Sequence, residues 1–147
     1  MLKWLGVGTV FAACMFFGFY KAAELKLREK RLLEICLFID AASDKIRVGQ
    51  EMNSIIESCG KRAGFYKEGF SIRLNPENLN QTDIKLAEDF ILGLGMGDTA
   101  SELKRCETYS QLFKRELSSA EAQSKEKASI YSKLGVFVGM LVGIVLI

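Results

Sequence analysis

At 147 residues, 49% hydrophobic and 26% charged, the chain is the size of a single domain, and one proline in the whole sequence argues against a loop-rich or all-β protein. The charge is nearly balanced, 20 Lys and Arg against 18 Asp and Glu for a net +2, which leaves no basic face for nucleic acid. The absence of histidine excludes Ser-His and Cys-His catalysis, and Cys14, Cys36, Cys59 and Cys106 lack the C-x-x-C spacing of a zinc or redox centre, so no catalytic, metal or cofactor site is expected.

Among the charged side chains only Lys3 lies outside the span from Lys21 to Lys133, so the chain divides into an apolar head, a polar middle and an apolar tail. The head, residues 1–20, is uncharged from Trp4 to Tyr20, about 17 residues with an aromatic at each end, which suits a short transmembrane helix. Two other readings compete with a retained anchor. A secretory signal needs a small-x-small cleavage site followed by polar sequence, and here the apolar run continues past Ala12-Ala13. Phe11-Ala12-Ala13-Cys14 loosely resembles a lipoprotein box with Cys14 as the lipidated residue, but Met15-Phe16-Phe17 follows where a polar tether is usual.

Behind the anchor, Leu25, Leu32, Ile39 and Ile46 recur every seven residues, with Ile35 and Ala42 filling the intervening turns. The pattern predicts an amphipathic helix ended near Gly49, too short in heptads for an extended coiled coil and suited to a bundle. A second short helix is expected over Gln50–Gly60, with Met52, Ile55, Ile56 and Cys59 inward and Gly60 as its stop. Residues 60–80 fit a helix or an extended segment, because Gly64 and Gly69 weaken both, and Asn75-Pro76 suggests a capped turn of helix. Asn80 or Thr82, with Asp83 in the first turn, starts a clearer helix carrying Ile84, Leu86, Ala87, Phe90, Ile91 and Leu94.

That helix breaks at Gly93-Leu94-Gly95-Met96-Gly97-Asp98. A phosphate loop needs a strand before it, and a P-loop needs Gly-Lys-Ser/Thr after it. Neither is present, so the glycines read as a helix junction. Gly95 and Gly97 end one helix, Asp98 or Thr99 caps the next, and Thr99 with Glu102 reads as a capping box, together making an antiparallel helical hairpin. The last helix carries Leu103, Cys106, Ser110, Phe113, Leu117, Ala120 and Ser124 at three-four spacing, and its second half, residues 118–129, reads as a solvated stalk. It passes without a breaker into the C-terminal anchor, residues 133–147, which is uncharged from Leu134 on. About 14 residues reach roughly 21 Å against a hydrocarbon core of roughly 30 Å, so a full span needs a start near Ile130, with Tyr131 interfacial and Lys133 snorkelling. Gly135, Gly139 and Gly143 fall on one face of that tail, where a second membrane helix can approach closely.

The expected fold is therefore all-α: an antiparallel helical bundle, residues 21–132, between an N-terminal and a C-terminal transmembrane helix. No sheet is expected, and the core should comprise Leu32, Ile39, Ile46, Ile55, Phe90, Leu94, Leu103, Phe113 and Leu117. Lys21, Lys26, Arg28, Lys30 and Arg31 follow the first anchor, and Lys125, Lys127 and Lys133 precede the second, which places the middle in the cytoplasm.

The layout resembles the stage III sporulation protein AB family. The resemblance rests on the opening Met1-Leu2-Lys3-x-Leu5-Gly6, the basic helix after the first anchor, Leu94-Gly95-x-x-Asp98, and the final helix running into Leu134-Gly135-Val136-Phe137-x-Gly139-x-Leu141. It covers residues 1–59 and 84–147. Two departures are Glu102 where the family pattern has a glutamine, and a short stretch between Gly60 and Asn80. The resemblance implies a non-enzymatic scaffold or adaptor in the channel-like assembly between mother cell and forespore, in the mother-cell membrane. Its soluble part would be similar to the cytoplasmic domain of the platform protein of type II secretion and type IV pilus machines. Its implied partners are a secretion-type ATPase, stage III sporulation protein AA, and other membrane subunits of the complex. The competing class is a membrane-tethered helical homo-oligomer, such as a division or signalling tether, with no sporulation role.

Overall fold

The computed structural model describes residues 2–69 and 71–146. Its elements are α1 (Leu2–Arg47), α2 (Met52–Ile55), a π-helical turn (Ile56–Gly60), α3 (Lys61–Ala63), β1 (Phe65–Glu68), β2 (Ser71–Leu74), α4 (Gln81–Leu92) and α5 (Thr99–Leu146). The chain forms two compact units, one of Met1–Leu27 with Ala120–Ile147 and the other of Arg28–Ser119.

In the Arg28–Ser119 unit the apolar repeat of α1 forms the centre of the core: Leu32, Ile35, Ile39, Ala42 and Ile46 are buried, joined by Cys36 and Phe38. α4 adds Ala87, Phe90 and Ile91, and α5 adds Cys106 and Phe113. Leu103 and Leu117, expected in the core, are only half-buried, because the buried line of α5 runs through Cys106, Ser110 and Phe113 and leaves both leucines at its margins. Contacts from α1 to α5 descend in one direction as they ascend in the other. Arg28 meets Glu116, while Asp40 meets Ser110 and Lys114, so the two helices are antiparallel. α1 ends in a left-handed Gly49 at φ 76° whose amide bonds the Ile46 carbonyl, the stop its glycine predicts.

The second helix does not stop at Gly60. A Cβ there would lie 3.2 Å from Ile56 and 3.3 Å from Phe65, so this buried glycine serves close packing while the helix continues through it as α3. The stop is Gly64, left-handed at φ 79°.

From Gly64 the chain forms an antiparallel β-hairpin, correcting the expectation of a sheet-free bundle. Its register pairs Phe65 with Leu74, Tyr66 with Arg73, Lys67 with Ile72 and Glu68 with Ser71, and the Asn75 amide extends it by bonding the Gly64 carbonyl at 2.9 Å. The two-residue connection opens on Gly69 at φ 64°, a conformation glycine adopts without the Cβ penalty. Phe65 anchors the hairpin to α1, its ring 4.7 Å from Phe38. Pro76 opens a turn rather than a helix. The Asn75 side chain accepts from the Glu77 amide, and Asn78 takes the left-handed conformation at φ 61°, which a helix cannot contain.

Candidate functional site

α4 starts at an N-cap, Asn80, whose side chain accepts from the Asp83 amide at 2.7 Å while Asp83 accepts from the Asn80 amide at 3.2 Å. This capping box buries the Asp83 carboxylate completely, and its charge is met by Arg28 of α1, Nε to Oδ2 at 2.8 Å and Nη2 to Oδ1 at 3.0 Å. The same guanidinium reaches Glu116 of α5 at 3.4 Å. Its pKa is held above the ordinary value, chiefly by the hydrogen bond to Asp83. One arginine thus ties three helices together, with a two-pronged geometry that a lysine could not reproduce. The sequence carries a signal for it: Arg28 lies three residues after Leu25, four before Leu32 and seven before Ile35, a charge set into the apolar stripe.

At the other end of α4 lies the glycine junction. Gly93 ends the helix, and a Cβ there would fall 2.1 Å from the Arg105 guanidinium, which lies over the turn and donates to the Asp89 carbonyl at 3.2 Å. Arg105 also sits 5.7 Å from the centre of the Tyr109 ring, which packs 5.3 Å from Phe90. α5 begins at Thr99, and Asp98 stands in the N-cap position before it, its carbonyl accepting from the Glu102 amide at 3.0 Å and its side chain from the Ser101 hydroxyl. The Asp98 carboxylate is held below the ordinary carboxylate range, first by the Ser101 hydroxyl and then by the Ser101 and Ala100 amides. Glu102 therefore does not close a capping box with Thr99. It lies one position beyond the capping-box site and reaches back into the loop, where Oε1 accepts from the amides of Gly95 and Gly97, each at 3.0 Å. Glu102 is 6% exposed, and its other oxygen, Oε2, is shut off from solvent with no hydrogen-bond partner. Gly95 holds the loop at φ 81°, one reason a glycine stands there. The junction residues Gly95, Gly97, Asp98 and Glu102 thus form one hydrogen-bonded loop organised by Glu102.

In the unit of Met1–Leu27 with Ala120–Ile147, the backbones of α1 and α5 come together at Gly18, a residue the sequence reading did not single out. A Cβ on Gly18 would lie 2.8 Å from the Tyr131 carbonyl oxygen and 3.8 Å from the Gly135 Cα. Beside the crossing runs an apolar groove of about 460 Å³ lined by Ala13, Phe17, Tyr131, Leu134 and Val138 as well as both glycines. Gly139 and Gly143 fall on the helical backbone of α5, but their surroundings, like the side chain of Cys14, lie outside what the structure describes. Ala120 and Ser124 are buried, so the segment expected to be a stalk is packed along one side. The outward faces carry Phe16, Phe17, Phe19, Tyr20, Phe137, Met140, Leu141 and Ile144, all at least half-exposed. Among the described residues no helix is long and apolar enough to cross a membrane.

Cys36 and Cys106 are buried, and burial is the main cause that pushes each thiol up to about 11. Cys59 is partly exposed and shifted down, foremost by its hydrogen bond with Ser58, whose hydroxyl also accepts from Lys45 at 2.6 Å. Among the described residues no cluster of three or more His, Cys, Asp or Glu could hold a metal ion.

Residues 65–147, more than half of the chain, match the family model for stage III sporulation protein AB. The match takes in the hairpin, α4, the junction and α5, and its N-terminal limit falls at the first residue of β1. Neither a curated protein nor a solved structure matches the chain significantly.

Proposed function

The chain belongs to the stage III sporulation protein AB family, which points to a role in sporulation, and we propose that it fills that role as a membrane-anchored scaffold or adaptor rather than as an enzyme. In this reading the two apolar ends pair within the membrane around the mother-cell side of the forespore. The polar unit in the cytoplasm couples a secretion-type ATPase, similar to stage III sporulation protein AA, to the membrane subunits of a secretion-like complex. The fold of the polar unit is proposed to be similar to the cytoplasmic domain of secretion platform proteins.

The observation that carries the proposal is the contrast between the two units. Arg28–Ser119 encloses a core of Ile, Leu, Phe and Ala, as a water-facing bundle does. The pair of helix ends turns phenylalanines, leucine and methionine outward, with Phe16 77% and Ile144 73% exposed, a surface that favours apolar surroundings. Within Arg28–Ser119, Arg28 and Asp40 fasten α1 to α5.

Co-purification tests the adaptor role. Detergent-solubilised protein expressed with the candidate ATPase should retain it through affinity capture and size exclusion, whereas Arg28→Met, which loosens the three-helix tie, should retain less. Wild-type protein that fractionates with membranes but never holds the ATPase would leave the competing reading, a helical tether without ATPase coupling.

A further inference from the structure

The geometry points to a lipid site on the paired helix ends: the apolar groove beside Gly18 holds one acyl chain of an anionic phospholipid, whose phosphate lies between Lys21 and Lys127. The site presupposes the membrane anchoring proposed above. The groove encloses about 460 Å³ and is open to its surroundings, since Phe17, Tyr131, Leu134 and Val138 on its walls are all exposed. On α5 its lining runs from Tyr131 to Val138, roughly 10 Å of helix axis, so its section averages roughly 45 Å². A helix with its side chains is about 10–12 Å across, roughly twice that section, and cannot enter. An extended hydrocarbon chain is thinner and can. Water is a poor occupant, because the walls are almost wholly apolar and offer too few hydrogen-bond partners.

Charge selects the head group. Lys21 stands four residues after Phe17 and three after Gly18, and Lys127 stands four before Tyr131, so each helix carries a lysine one turn beyond the groove on the face that lines it. The Tyr20 and Tyr131 hydroxyls lie within electrostatic reach of the Lys21 ammonium, which puts that charge at the Tyr131 end of the groove. Glu24 pairs with Lys21 at 2.7 Å, but both side chains are exposed, and a bridge of that kind is weak enough to yield to a phosphate. Lys127 is exposed and makes no ion pair among the described residues. Two lysines at one end of an apolar groove fit an amphiphile with a negative head, and the anionic lipids of a cytoplasmic leaflet are that class.

The test is native mass spectrometry of the full chain, released from detergent after titration with palmitoyl-oleoyl phosphatidylglycerol or palmitoyl-oleoyl phosphatidylcholine. One phosphatidylglycerol per chain should be held roughly tenfold more tightly than phosphatidylcholine. Lys21→Ser with Lys127→Ser should bring the two lipids level, whereas Lys125→Ser with Lys133→Ser, exposed lysines on the opposite side of α5, should leave the preference intact. Val138→Trp, which fills the groove, should abolish retention of both lipids while circular dichroism shows the helices kept. Equal retention of the two lipids by the wild type, a preference that survives Lys21→Ser with Lys127→Ser, retention by Val138→Trp, or a lipid-free dimer that Val138→Trp dissociates would each overturn the lipid assignment. Membrane anchoring stands or falls separately, on whether the chain is recovered in the membrane fraction.

Discussion

Asp83 and Glu116 share one arginine but are not equivalent. Asp83 is fully buried and held by two bonds, whereas Glu116 is a third exposed and 3.4 Å away. Removing the buried partner strands Arg28 inside the bundle, so Asp83→Ala should lower stability by about 3–5 kcal/mol, whereas Glu116→Ala should cost under about 1 kcal/mol. Thermal unfolding followed by circular dichroism checks the order, and equal losses would contradict the assignment of Arg28 to Asp83. The glycines allow a similar comparison. Gly69 at φ 64° has open space where a Cβ would go, so Gly69→Ala should cost about 1–2 kcal/mol for backbone alone. Gly64→Ala adds displacement of the Arg31 guanidinium from the Arg62 carbonyl, about 1 kcal/mol more. The thiols respond to pH. Cys36 and Cys106 are raised from 9.0 to about 11, so the stability tied to their neutral form is complete below the unfolded value and is lost as pH rises from near 9 through about 11. At neutral pH the folded protein should react with maleimide at Cys59, shifted the other way, well before Cys36 or Cys106, as timed mass spectrometry would show.

Long elements were the legible ones. The seven-residue recurrence in α1 and the Gly49 stop can each be read from neighbouring residues, and the α4 cap can be narrowed to Asn80 or Thr82, of which the structure selects Asn80, because periodicity and capping are local effects. The hairpin was not legible, since Gly64 and Gly69 break a helix and a strand equally well. What selects the strand is tertiary: Phe65 packing its ring, tilted, against Phe38, and Gly60 surrendering its space to Phe65. Glu102 shows the same limit, since its spacing from Thr99 mimics a capping box and its actual partners, Gly95 and Gly97, lie upstream of the cap. Gly18 went unread because a lone glycine in an apolar run carries no period, whereas its role is a close approach to Tyr131. Gly18→Leu should push the two helix ends apart, since its Cβ alone would lie 2.8 Å from the Tyr131 carbonyl oxygen. In detergent, cysteine pairs introduced at Ala13 and Val138 should then lose disulfide cross-linking while the helical signal of the remainder persists. Retained cross-linking would show that the approach at Gly18 is not needed for pairing.

For the whole molecule, charge placement carries the argument that geometry does not. Lys21, Lys26, Arg28, Lys30 and Arg31 follow the first apolar end and Lys125, Lys127 and Lys133 precede the second, a pattern that under the positive-inside rule supports the proposed cytoplasmic placement of the middle. Family membership could be read over residues 84–147, which the family model matches, whereas the part of the resemblance carried by residues 1–59 lies outside the matched residues 65–147. A partner's docking face could not be read, since a single sequence does not rank surface residues. The most direct test is the location of the hairpin. Ser71 is exposed on β2, and Cys36 and Cys106 are buried, so a chain with Ser71→Cys, Cys14→Ser and Cys59→Ser presents one accessible thiol. Intact cells treated with a membrane-impermeant maleimide should leave that thiol unlabelled until lysis, after which it reacts fully, with the protein in the membrane fraction. Labelling before lysis, or recovery of the chain in the soluble fraction, would contradict the membrane-anchored cytoplasmic adaptor.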